Sequence, residues 1–195
     1  MTDQPHPDKL HRGHDFGNLP VGFEIYPNVI QDCEEIIDYL NVKQLWQSSV
    51  QVIDSFSFVD EQRTSTTAYI DMFDFRNPEC IYRMNKSVWE HMDDYAIAWR
   101  TSFSEIETVS VQRYNIGQQY GIHADDGPDI PRVISGLVYL NTVDEGGETY
   151  FPEFDLKIKP QMGTLVVFPS NFIYRHAALP PVSGEKYAAA FWARR

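Results

Sequence analysis

A mostly β fold, a sandwich or barrel with helices packed outside it, is what this chain of 195 residues predicts. Three observations carry that expectation. Beyond residue 105 the chain divides into short runs rich in β-branched and aromatic residues. Turn formers punctuate the runs: Gly146-Gly147, Pro160, Gly163, Pro169-Ser170-Asn171 and Pro180-Pro181. Helical patterns precede the strands instead of alternating with them, which argues against a doubly wound sheet.

The elements follow in order. Residues 1–18 are polar, with three histidines and two prolines, and read as a disordered tail. Residues 19–195 read as a single domain, with 19–105 giving helical support and the first strands and 106–195 the jelly-roll core. From Pro27, the stripe Val29, Ile30, Cys33, Ile36, Ile37 and Leu40 predicts a helix. Strands are expected at Gln51–Ile53 and Ala68–Ile70. Cys80, Met84, Val88, Met92, Tyr95 and Trp99 then predict a long helix over Pro78–Thr101. The later strands are placed at Thr108–Ile116, Val133–Leu140, Glu148–Phe151, Leu156–Ile158, Thr164–Phe168, Phe172–Ala177 and Lys186–Ala193. The polar stretch Asp60–Thr67 fits either a mobile lid or an ordinary surface loop.

Composition narrows the function classes. Apolar residues make up 43% and aromatics 14%, enough for a real core. The net charge is −12 and the lysines and arginines are scattered, so no basic face for nucleic acid is expected. No run of about 18 apolar residues exists, so no membrane span is expected. The first residues lack the apolar segment of a signal peptide, and two cysteines are too few for a disulfide framework. These features lead us to expect a cytoplasmic protein.

The pattern His-x-Asp occurs three times. His6-Pro7-Asp8 lies in the polar tail. His91-Met92-Asp93 lies in the long predicted helix, where side chains two residues apart diverge. His123-Ala124-Asp125 lies where the chain re-enters the sheet, and in extended backbone side chains two apart share a face. His176 and then Lys186 follow. Two imidazoles and one carboxylate form the facial set that holds iron(II) and leaves open positions for oxygen chemistry. A lysine shortly beyond suggests an anionic cosubstrate beside the metal.

The residues from Tyr114 to Asp125, Tyr-Asn-Ile-Gly-Gln-Gln-Tyr-Gly-Ile-His-Ala-Asp, resemble the metal-binding strand of prolyl 4-hydroxylases, which are iron(II)- and 2-oxoglutarate-dependent dioxygenases. Further matches come in the family's order: Arg132–Leu140, Gly146–Pro152, Pro160–Gly163 with Phe168, His176, and Pro181-Val182 with Gly184-Glu185-Lys186. The resemblance is strong over 108–193 and weaker at Arg63-Thr64-Ser65. It implies a double-stranded β-helix, a cupin-like jelly-roll barrel. It implies His123, Asp125 and His176 as the catalytic metal ligands, with Lys186 binding the distal carboxylate of 2-oxoglutarate and Tyr114, Tyr139 and Thr149 as hydroxyl donors. It also implies O2 as co-reactant, ascorbate as reductant, succinate and carbon dioxide as products, and a proline-containing peptide or protein as substrate. Tyr120, Arg132, Trp192 and Arg63 are the substrate contacts it suggests. Tyr120 and Trp192 also fit a reading as core aromatics. Arg194 stands where the family often has histidine, which suggests different flanking residues in the peptide, acidic ones among them.

Overall fold

The computed structural model describes residues 19–48, 51–53, 56–58 and 62–195. The expected tail at 1–18, with His6 and Asp8, and residues 60 and 61 of the proposed lid lie outside them. Among the described residues fourteen strands and two α-helices follow in chain order. They are β1 (Glu24–Tyr26), α1 (Cys33–Val42), β2 (Gln47–Ser48), β3 (Gln51–Ile53), β4 (Phe56–Phe58), β5 (Thr66–Ile70) and α2 (Glu79–Ala98). Then come β6 (Glu105–Ile106), β7 (Val109–Tyr114), β8 (Tyr120–His123), β9 (Arg132–Tyr139), β10 (Thr149–Phe151), β11 (Leu156–Ile158), β12 (Leu165–Pro169), β13 (His176–Ala178) and β14 (Lys186–Arg194).

All pairings are antiparallel. A large sheet runs β1-β12-β9-β14-β7-β5-β2, with β6 added to β14, and a small sheet runs β11-β10-β13-β8. These two sheets form the double-stranded β-helix expected from the sequence. Alternation along the strands of the large sheet separates two environments. Val109 and Val111, Ala189, Phe191 and Ala193, and Leu165 and Val167 pack with α1 and α2 in one core. The residues between them face the small sheet: Tyr114, Gln112 and Ser110 on β7, and Lys186, Ala188, Ala190 and Trp192 on β14. Phe151, Phe168, Tyr174 and Tyr139 fill a second core at that side.

The differences from expectation have local causes. The first helix begins at Cys33, not Pro27, because Asn28 takes a left-handed φ of 57° and the amides of Val29 and Ile30 bond to the Gly163 carbonyl. The long helix ends at Ala98, where Arg100 turns to a φ of 52°. The run Phe172–Ala177 is not one strand. Asn171 Oδ1 accepts from the Ile173 amide at 3.0 Å, closing a 3-10 turn over Phe172–Tyr174, and the strand starts at His176. The strands β1, β2, β4 and β6 were not foreseen, and β8 falls within the stretch Tyr114–Asp125 that resembles a metal-binding strand.

Candidate active site

The small sheet builds the first half of the site. β8 and β13 pair so that His123 lies directly across from His176, which brings the imidazoles side by side at a centroid separation of 4.4 Å. Asp125 follows in the bend after β8. One donor atom from each of His123, Asp125 and His176 lies within 4.8 Å of the others. His123 Nδ1 donates to the Gly121 carbonyl at 2.9 Å and His176 Nδ1 to the Tyr174 carbonyl at 3.1 Å. Those bonds fix the tautomers and turn both Nε2 lone pairs toward the Asp125 carboxylate, at 3.7 and 3.8 Å.

The surroundings hold the ligands in place. Tyr120 stacks flat on His123, with centroids 3.7 Å apart and planes at 16°. Phe151 and Phe168 pack around the His176 ring. Ser135 Oγ donates to Asp125 Oδ2 at 2.6 Å and is itself 2.8 Å from Ser170 Oγ. Burial, with His176 beside it, holds the His123 imidazole far below its ordinary pKa and therefore neutral. Burial pushes the Asp125 carboxyl upward, but His176, His123, the Ser135 bond and Arg132 together hold it below its ordinary value, so it is ionised. Two imidazoles and one carboxylate, converging on a common point, suit a divalent iron ion. The residues present fit the metal.

The second half comes from the large sheet. The triad opens into a cavity of about 410 Å³, within the range of small-molecule sites, which Lys186, Tyr114 and Thr149 also line. Lys186 is 1% exposed, and no carboxylate among the described residues forms an ion pair with it. Burial pushes its ammonium down to about 7, against the opposing field of Glu148. Its Nζ lies 5.5 Å from the ring centroids of both Tyr114 and Tyr139. Such a group calls for an anionic partner. Tyr139 itself does not line the cavity. Its hydroxyl donates to Thr149 Oγ1 at 2.7 Å, so it orients Thr149 from behind.

The four suggested substrate contacts gather at the mouth. Two are heavily engaged within the protein. Arg132 makes a two-point bond to Glu107 at 2.6 and 3.0 Å, donates to the Asp125 carbonyl at 3.4 Å and lies 3.9 Å over the Trp192 ring. Arg63 lies 4.6 Å over Tyr120. Arg194 is outside the cavity and paired with Glu105 at 2.8 Å. Of the stretch 60–67, the described part is tied to the loop before β8 and to β8 itself, with Thr64 N bonding Gln119 O and Gln62 O accepting from Gly121 N, and it runs into β5. His91 and Asp93 lie on α2, away from the cavity. Sequence reasoning missed Ser135, Ser170, Ser110 and Gln112. Alternation from Tyr139 reaches Ser135, and alternation from Tyr114 reaches Gln112 and Ser110; nothing in the sequence marks Ser170.

Comparison with known proteins bears on this site. A mimivirus protein named "Putative prolyl 4-hydroxylase" is 31% identical over 183 residues, covering 83% of this chain and 69% of that one. The chain belongs to the prolyl 4-hydroxylase family. The 2OG-Fe(II) oxygenase superfamily model matches residues 109–194, the segment that carries the triad and Lys186. Prolyl 4-hydroxylase 13 of Arabidopsis thaliana is 34% identical over 128 residues, and the chain spans 47% of its length. Among solved structures, a viral collagen prolyl hydroxylase from Paramecium Bursaria Chlorella virus-1, in complex with 2OG, has a TM-score of 0.67 and 28% identity over 88% of this chain and 94% of its own. A Trichoplax adhaerens prolyl hydroxylase shares the fold, with a TM-score of 0.74 and 23% identity over 89% of this chain and 83% of its own.

Proposed function

We propose that this chain is an iron(II)- and 2-oxoglutarate-dependent dioxygenase that hydroxylates proline in a peptide or protein. One observation carries the reading: a converging His123–Asp125–His176 triad shares a single cavity with the buried ammonium of Lys186. When bound, iron(II) with 2-oxoglutarate and O2 supplies oxidative decarboxylation to succinate and carbon dioxide and the oxygen inserted into a substrate C–H bond.

This chain's own residues bind, orient and exclude water. His123, Asp125 and His176 would hold the metal. Lys186 pairs with the distal carboxylate of the cosubstrate, and Thr149, oriented by Tyr139, offers it a hydroxyl. Tyr114 is buried, and its hydroxyl stays protonated because burial raises its pKa. Trp192, Tyr120 and Ile130 give the mouth apolar walls. A proline ring is apolar and rigid, and a polyproline-like backbone loses little conformational entropy on docking, so such walls suit it. Ascorbate as reductant and a cytoplasmic setting complete the proposal; Cys33 and Cys80, both free and buried, are compatible with a reducing compartment. Among the described residues no helix is long and apolar enough to cross a membrane. The test is succinate release: it should require iron(II) and 2-oxoglutarate and rise when proline-rich peptides are added. No release under any of these conditions would leave a metal-binding jelly roll without turnover.

A further inference from the structure

The cavity contains a polar pair that the metal and the cosubstrate anchor do not use. Gln112 and Ser110 lie two residues apart on the inner face of β7, 5% and 1% exposed, and both line the cavity. Gln112 Nε2 donates to Ser110 Oγ at 2.8 Å. Among the described residues nothing else bonds the Gln112 side chain, so its Oε1 and second N–H remain available. One of the four hydrogen-bonding positions of this amide is met within the protein, which leaves three for a ligand.

The register shows where that ligand sits. Gln112 lies across from Ala188, and Ser110 across from Ala190, on β14. These small side chains leave the space beside the pair open. One pleat further toward one end are Lys186 and Tyr114, which face each other. Toward the other end are Trp192 on β14 and Tyr69, which pairs with Ser110 from β5 and also lines the cavity. The pair therefore bridges the anion anchor and the aromatic mouth. Gln112 and Ser110 carry no charge, so an ionised group placed over them would be left uncompensated. A neutral group that both donates and accepts fits: a peptide unit, a carboxamide or a hydroxyl.

We propose that Gln112, oriented by Ser110, forms a polar subsite that binds a neutral amide or hydroxyl of a residue flanking the target proline and so sets flanking specificity. The proposal rests on the peptide-hydroxylase reading. Anaerobic calorimetry on the protein loaded with iron(II) and 2-oxoglutarate measures the affinity for a proline-rich peptide without turnover. Gln112→Met keeps the length of the side chain and removes both polar ends. Its peptide affinity should fall about tenfold, the loss of one hydrogen bond in a dry site, while its 2-oxoglutarate affinity stays put. If that variant fails to fold, Gln112→Asn, which withdraws the amide by one methylene, takes its place. Two peptide arms separate the sources. A side-chain ligand makes the wild-type advantage vanish on peptides with alanine flanks. A backbone ligand keeps it there and loses it on N-methylated flanks. Unchanged peptide affinity in a well-folded Gln112→Met protein overturns the subsite alone, as does a loss of 2-oxoglutarate affinity in its place. If the wild-type protein binds no proline peptide, the substrate reading falls with it.

Discussion

Replacing Lys186 with alanine removes an ammonium that is 1% exposed and has no ion-pair partner among the described residues. In the cosubstrate complex it would leave a carboxylate unpaired in a buried cavity. Breaking a buried pair from one side costs about 3–5 kcal/mol, which corresponds to a rise of roughly two to four orders of magnitude in the 2-oxoglutarate concentration needed for half saturation. A second consequence follows from the pKa of about 7 that burial gives Lys186. A bound carboxylate favours the ammonium, so binding takes up a proton and affinity falls as pH rises through 7, by roughly fivefold from pH 7 to 8. Lys186→Arg keeps its charge at every such pH, so its weaker binding should not show this slope. For stability, the unfolded lysine holds its proton up to 10.5, so the unfolded chain binds more protons between about 7 and 10.5. Lys186 therefore opposes folding most below pH 7, and this opposition fades as pH rises across that window. The assay is 2-oxoglutarate titration by succinate release at several pH values, with calorimetry for proton uptake. An unchanged titration in Lys186→Ala, or a wild-type pH slope persisting in Lys186→Arg, would refute the pairing.

Other outcomes follow from the same geometry. Alanine at His123, Asp125 or His176 should abolish turnover and metal binding while melting stays close to wild type, whereas His91→Ala on α2 should keep iron-dependent turnover; succinate assays and melting curves decide. Ser135→Ala removes the 2.6 Å bond to Asp125 Oδ2 and should weaken cobalt(II) binding to the metal-free protein by about 10–100-fold, with Ser135→Thr restoring most of it. Gly146→Ala forces a side chain onto a φ of 73° and a Cβ within 2.5 Å of the Pro180 carbonyl. It should cost about 1–3 kcal/mol, seen as a lower melting temperature.

Much of the site was legible because it depends on strand periodicity and on long spacings between reactive residues. His123 and Asp125 converge as their spacing predicted, and the shared face of Lys186, Ala188, Ala190 and Trp192 is the one that lines the cavity. His91 and Asp93 lie on α2, a helix, as the spacing of their apolar neighbours predicts. What was not legible depends on partners far away in sequence. The pairing of His176 with His123 joins strands that a local pattern cannot match. The ion pairs of Arg132 with Glu107 and of Arg194 with Glu105 were also not legible, because they arise where β6 and the link to β7 lie beside the end of β14. Nor was the bond from the Tyr139 hydroxyl to Thr149 legible, since it joins β9 of the large sheet to β10 of the small one. The strand expected over Phe172–Ala177 gave way to a turn set by the side chain of Asn171.

The most direct measurement follows the oxygen atoms. The protein is incubated with iron(II), ascorbate, 2-oxoglutarate, a proline-rich peptide and isotopically heavy O2, and the peptide and succinate are then analysed by mass spectrometry with fragmentation. The account predicts one heavy oxygen on a proline of the peptide and one in succinate, in equal amounts and dependent on both iron(II) and 2-oxoglutarate. Labelled succinate with the peptide unmodified, or the heavy oxygen on a residue other than proline, would contradict it.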